Sequence, residues 1–174
     1  MSAASSIFKI LTAENWLVAD PASTIFSKVS HTDGTATPMS GHEWLSLFLD
    51  PTLSNSVPEN VHALFEVARG SLAYGYFFYP LYTLAYEQLF RAAETAVNAK
   101  CKMLGAPNKT TRFVDKIQFL LDRQVISDSE RLDWDAVRNF RNLTSHPERQ
   151  NILPPGAVAS LLVRLTERIN KLFA

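Results

Sequence analysis

The chain has 174 residues, 47% of them hydrophobic and 20% charged, which is enough for one domain with a real core and far from the composition of a disordered segment. Seventeen basic and seventeen acidic side chains cancel, which excludes the whole-surface positive field of a sequence-blind nucleic-acid binder. A lone Cys101 excludes an intrachain disulfide and a cysteine-built zinc site, points to a reducing compartment, and is expected to be a small buried hydrophobe.

Along the chain, the first sixteen residues carry no basic region ahead of a short apolar run, so no secretory signal is expected. The longest apolar-rich stretch, Ser71 to Leu84, is broken by Gly75 and Pro80 and is too short and too polar for a membrane span. The expectation is a soluble, cytoplasmic protein with no membrane partner, in which the sequons at Asn108 and Asn142 are chance matches.

Residues 1–57 hold five of the fifteen prolines and glycines of the chain among Ser, Thr and Asp, with no sustained period, and are expected to form a loop-rich arm. Within it Ser40-Gly41-His42-Glu43 has capping-box spacing ahead of Trp44, Leu45, Leu47, Phe48 and Leu49, which predicts a short helix near 41–49 packed on the main body. From residue 58 to 174 a 3.6-residue period predicts a bundle of five helices. The first runs over Glu59 to Tyr79, and the second begins or bends at Pro80 and stops near Leu104 before Gly105 and Pro107. The third covers Thr111 to Gln124, with Phe113, Ile117, Leu120 and Leu121 on one stripe. A fourth opens at Ser127 or Asp128, three residues before Glu130, and closes at His146-Pro147. The fifth starts at Pro154-Pro155 and aligns Val158, Leu161, Leu162, Leu165, Ile169 and Leu172. The fold class is all-α.

No phosphate loop, nucleophile elbow, zinc-protease pair or calcium loop occurs, and His31, His42, His62 and His146 are scattered, so neither metal nor cofactor is expected. The chemistry concentrates on the fourth helix. At about 100° per residue, Leu132, Ala136, Val137, Phe140 and Leu143 share one arc, expected to face the core. Arg131, Asp135, Arg138, Arg141, Asn142, Ser145 and His146 share the opposite one. His146 would stand at the helix C-terminus, where the carbonyl end of the macrodipole favours the imidazolium, and three guanidiniums on one face form a receptor for phosphate or carboxylate. A histidine beside a phosphate-holding arginine is the minimum for metal-free RNA cleavage: the imidazole moves the 2′-hydroxyl or leaving-group proton while the arginine stabilises the phosphorane.

Arg141-Asn142-Leu143-Thr144-Ser145-His146 resembles the Arg, four to six residues, His motif of the HEPN superfamily (higher eukaryotes and prokaryotes nucleotide-binding), and Tyr86 to Glu94 looks like that family's polar-studded core helix. The resemblance spans about residues 59–174. It implies a five-helix HEPN-like bundle on a long helical hairpin, working as a homodimer with a composite site. The implied activity is metal-independent endoribonuclease cleavage leaving a 2′,3′-cyclic phosphate, in a defence or toxin setting with an antitoxin-like partner protein. On that carry-over His146 is the acid/base, Arg141 holds the phosphate and Asn142 orients the pair or the RNA, while the arginine-rich arc itself offers Arg138, Ser145 and Arg131 as phosphate or RNA contacts. Toxin members often carry a tyrosine two residues after the histidine, where this chain has Pro147 and Glu148. Other members are non-catalytic modules that dimerise or bind RNA or nucleotide, and both classes stay open.

Glu87, Arg91, Glu94 and Asn98 form one polar line on the second helix, either as intrahelical pairs or with Glu87 or Glu94 reaching across to orient Arg141 or His146. Arg164, Arg168 and Lys171 share a face of the fifth helix, read as solvated, with an RNA-backbone track as the alternative. Trp134 falls on the polar arc and is expected exposed, at a dimer interface or as a stacking platform. The zero net charge hides a division: residues 1–99 hold four basic and nine acidic side chains, residues 100–174 thirteen and eight, so the basic excess accompanies the motif.

Overall fold

A computed structural model describes residues 9–30, 32–144 and 155–174. The helical period folds as α2 (Glu59–Tyr74), α3 (Leu81–Met103), α4 (Phe113–Asp122), α5 (Asp128–Thr144) and α6 (Pro155–Leu172), preceded by a short α1 (Gly41–Leu49). The architecture is mostly helical, as its patterning predicts. One addition is a two-stranded antiparallel ribbon, β1 (Ser27–Val29) with β2 (Ala36–Pro38), in register Ser27 opposite Pro38. Each strand has three residues, all exposed, so neither offers the inside-outside alternation by which a strand is recognised in a sequence.

The capping box of α1 forms as its spacing predicts: Ser40 Oγ accepts from Glu43 N, and the Glu43 carboxylate accepts from Ser40 N. Trp44 and Phe48 of α1 are buried, Phe26 of the arm stacks on Trp44 with ring centroids 5.4 Å apart, and Trp44 Nε1 donates to the Tyr82 hydroxyl of α3. The arm is thereby part of the core wall.

α2 ends at Tyr74, five residues short of the periodic expectation. The arm supplies the reason, by hydrogen bonding the segment a continued helix would have used. The buried Asp20 accepts from Tyr79 N at 2.9 Å through its carboxylate and donates its own N–H to Tyr76 O at 2.9 Å. Ser23 Oγ donates to Gly75 O at 3.2 Å, and Lys9 Nζ to Phe77 O at 2.9 Å. Residues 75–80 are therefore a turn, and Pro80, with no amide to leave unsatisfied, begins α3.

α3 is the axis of the bundle, packing on α2, α4, α5 and α6. It stops in a Schellman motif: Gly105, at φ +68°, lets Ala106 N reach Cys101 O at 2.9 Å and Gly105 N reach Lys102 O at 3.1 Å. α4 ends in the same motif with Gln124 at φ +57° in the glycine position, Val125 N reaching Leu120 O at 2.9 Å. Cys101 is buried as expected, and burial pushes its thiol pKa up. The stripe of α6 is inward, with Val158, Leu162, Leu165, Ile169 and Leu172 all buried. No described helix is long and apolar enough to cross a membrane.

The α2–α3 turn is tightly packed at its glycine. A Cβ added at Gly75 would meet the ring of buried Tyr82 at 2.5 Å, whereas one added at Gly156 meets nothing within 4 Å. Gly75→Ala is expected to destabilise the protein by about 1–3 kcal/mol through overpacking. Gly156→Ala should be neutral or stabilising by up to about 1 kcal/mol. Urea unfolding followed by circular dichroism separates the two outcomes.

Candidate functional site

The setting of α5 begins at its N-terminus. The Glu130 carboxylate accepts from Ser127 N at 2.9 Å and Ser127 Oγ at 2.6 Å on one oxygen. Its other oxygen takes Arg168 Nη1 at 2.8 Å and Lys171 Nζ at 2.9 Å from α6. Arg168 also grips Asp133, through Nε at 2.9 Å and Nη2 at 2.7 Å. Burial works against the charge on Glu130, but the Ser127 hydroxyl and amide and the Lys171 ammonium outweigh it and hold the carboxyl at about 2, below its ordinary 4.5. Arg168 and Lys171 are thus committed to a helix-to-helix clamp. Arg164 and Lys171 are exposed, as a solvated face requires, while Arg168 is drawn into the clamp and is not free for an RNA backbone.

This clamp turns α5 by about one residue step, roughly 100°, from the arc that its hydrophobic side chains suggest. Glu130, Trp134 and Val137, spaced i, i+4, i+7, are buried, while Leu132 is 77% exposed. Trp134 is 1% exposed, which overturns its placement on the outer face. The physical reason is competition: with one stripe to bury, the indole and the clamped carboxylate outweigh a single leucine. Trp134 instead walls a narrow, mainly apolar cleft of about 90 Å³ between α5 and α6, with Val137, Leu161 and Leu165 beside it and Arg164 at its edge.

Of the residues expected to carry chemistry, Arg131, Asp135 and Arg138 do share one stripe. Arg131 is exposed and paired loosely with Asp135 at 3.8 Å. Arg138 is half-buried and makes no ion pair with another described residue. Arg141 and Asn142 belong to the last turn of α5, with side chains outside the described set, and Ser145 and His146 lie outside the described residues altogether.

On α3, Glu87 and Glu94 are both half-buried, and Glu94 is engaged. Arg91, exposed, donates to Gln88 on its own helix at 3.4 Å. Asn98 carries a buried Oδ1 with no partner among the described residues. His62 faces Ser54 O at 3.1 Å, and His42 is exposed. Among the described residues no group of three or more His, Cys, Asp or Glu could hold a metal ion.

The basic excess is placed differently from the motif. Residues 100–116 carry Lys100, Lys102, Lys109, Arg112 and Lys116 against Asp115 alone, and that acid is bound bidentately by Arg112 at 2.9 and 2.8 Å. This is the α3–α4 turn, at the end of the bundle where Lys100 lies 5.5 Å over the Phe173 ring and α5 begins. The last turn of α5 is at the other end, about 25 Å along a helix of this length.

No protein-family model, curated protein or solved structure matches the chain. The residues that periodic reasoning missed are Glu130, Asp133 and Arg168. Ser127 and Glu130 are visible as a capping signal. Nothing local ties them to an arginine 38 residues on.

Because the folded pKa of Glu130 lies below its unfolded one, its contribution to stability is fully present above pH 4.5 and is lost as pH falls toward about 2. Between those limits the wild type is expected to lose up to about 3 kcal/mol more than Glu130→Gln, which carries no titrating group there. Urea midpoints for both proteins at several pH values between 5 and 2 measure the difference, and parallel curves would refute the clamp.

Proposed function

We propose that the protein is a HEPN-like, metal-independent endoribonuclease whose chemistry is carried by Arg141 and His146. The observation that supports this reading most is the motif itself: an Arg-x4-His pair beginning in the last turn of α5, an amphipathic helix packed on the long α3 and followed by one closing helix, α6. In this scheme the His146 imidazole accepts the proton of a ribose 2′-hydroxyl, the alkoxide attacks the adjacent phosphorus, and the P–O5′ bond breaks with the leaving 5′-oxygen taking a proton from solvent water. A 2′,3′-cyclic phosphate results. Arg141 balances the charge that gathers on the phosphorane oxygens, and Asn142 holds the pair in register.

Arg138, with no carboxylate partner among the described residues, is the best-placed described cation to receive a neighbouring phosphate, with Arg131 and Ser145 further along that contact and Glu87 and Glu94 as orienting carboxylates. Two copies pairing their motifs would form the composite site the resemblance implies, and an antitoxin-like partner would silence it. Support for a second reading, a non-catalytic module binding RNA or nucleotide, comes from the acids interleaved with the arginines: Asp135 faces Arg131, and Asp133 with Glu130 occupies Arg168.

Incubation of the purified protein with mixed single-stranded RNAs in excess chelator distinguishes these. Cleavage is expected, with His146→Ala and Arg141→Ala each reducing its rate by about 100-fold or more. RNA retention without cleavage at any pH would establish the module, and neither binding nor cleavage would dismiss both.

A further inference from the structure

The arm is built inside out between Ile10 and Val18. Its polar groups are spent internally: Thr12 N donates to Asn15 Oδ1 at 2.9 Å, Asn15 Nδ2 to Ile10 O at 2.9 Å, and Val18 N to Asn15 O at 2.9 Å. Lys9 Nζ closes the loop on Val18 O at 2.6 Å while also holding Phe77 O at 2.9 Å. What this ordered loop turns to solvent is apolar: Ile10 at 72%, Leu11, Trp16 at 58%, Leu17 and Val18 are all exposed. Scattered exposed hydrophobics need no explanation, but five in nine residues on one hydrogen-bonded turn are a local concentration of the kind that another surface covers.

Phe77, to which Lys9 ties this loop, also lines a groove of about 440 Å³ between α1 and α2, together with Leu45, Leu49, Ala73 and Tyr74. Ridge and groove therefore adjoin on one face. We propose that this face pairs two copies of the chain, the Trp16–Val18 ridge of each entering the α1–α2 groove of the other. Such reciprocity is what a two-fold interface requires, since one patch must be complementary to itself.

Two further features select a second copy as occupant. The exposed area of the loop hydrophobics with Leu49 and Tyr74 comes to about 800 Å², which is what one partner contributes to an interface of standard size. The face is also nearly free of charge: Glu14 is the one exposed ionic group from Ile10 to Phe26, because Asp20 is buried on backbone amides. Lys9 is consumed by carbonyls, and Arg69, in the groove, by Glu66 and by the carbonyls of Phe48 and Leu49 at 3.0 and 2.7 Å. The carboxylates left in solvent on this face are Glu14 and Glu66, the latter already paired with Arg69, so an anionic membrane finds no free cation there and a second, mainly apolar copy of the same face does fit. The inference rests on the arm and the α1–α2 groove and uses no residue of α5, so a dimer that Trp16→Glu dissolves is this pairing, while one that Trp16→Glu leaves intact is the motif-to-motif pairing of the proposed function.

Sedimentation velocity on the full chain tests it. The wild type is expected to be a dimer at roughly 100 µM, and Trp16→Glu or Ile10→Glu to raise the dissociation constant by about 100-fold, with circular dichroism unchanged. Met103→Glu, an exposed position at the end of α3, should leave the dimer intact. Since Trp44 and Trp134 are buried and Trp16 is the exposed indole, wild-type fluorescence should also shift to the red on dilution, a readout that needs no variant. A monomeric wild type at that concentration, which would leave the face to a different protein, or a Trp16→Glu protein that still dimerises, overturns the proposal.

Discussion

Four helices approach α3, and that crowding is the constraint from which the rest of the molecule follows. A helix covered on several sides must present small side chains where its neighbours come closest, and Ala85, Ala92, Ala93 and Ala96 do so, all fully buried, between larger fillers such as Leu89, Phe90 and Val97. Alanine also costs least in helix propensity, so the residues that permit the packing also stabilise a 23-residue helix. At its two ends the solution changes. The C-terminus is closed by Gly105 in the left-handed region, and the N-terminus by Pro80 together with an arm that satisfies the turn before it. Tyr82, held against Gly75 and hydrogen-bonded by Trp44, ties the arm to this N-terminal turn, and burial pushes its hydroxyl pKa up.

Once α3 is fixed, the remaining freedom of α5 is rotation, and a polar contact settles it. A carboxylate buried on a helix face is costly unless its lone pairs are satisfied, and Glu130 has four donors from two helices. The benefit lies in specificity of orientation: with Glu130 held inward, Trp134 and Val137 follow one and two turns later, and Leu132 is left in solvent. The stripe that carries Arg131, Asp135 and Arg138 is positioned by the same contact.

The parts of this structure that were legible in the sequence are those decided within one element. The capping box at Ser40, the proline at position 80, the glycine stop at 105 and the inward stripe of α6 each depend on neighbours three to eight residues away, and each forms as its spacing indicates. The failures share a cause as well. α2 stops early because Asp20, 59 residues from Tyr79, takes an amide. α5 is rotated because Arg168 reaches Glu130 across 38 residues. The β-ribbon is too short to establish a period, and Gln124 accepts a left-handed conformation that composition would assign to glycine. Of the candidate site, the shared stripe of Arg131, Asp135 and Arg138 was readable from helical spacing, while the pairing of Glu130 and Asp133 with Arg168 and the inward tryptophan belong to tertiary contacts.

The distribution of charge bears on how an RNA would meet such a surface. The cations that give the C-terminal half its excess are gathered at the α3–α4 turn, on the opposite end of the bundle from the last turn of α5, and near that turn the arginines are interspersed with Asp133 and Asp135. At physiological ionic strength the screening length is about 8 Å, shorter than the roughly 25 Å between the two ends, so the lysine-rich turn adds little to the field at the motif. Attraction there must come from contact, through guanidiniums that bind a phosphate bidentately once it has arrived, and not from long-range steering. On the proposed reading, binding of that kind releases few counterions and varies gently with salt, unlike the binding of a protein that coats a polyanion.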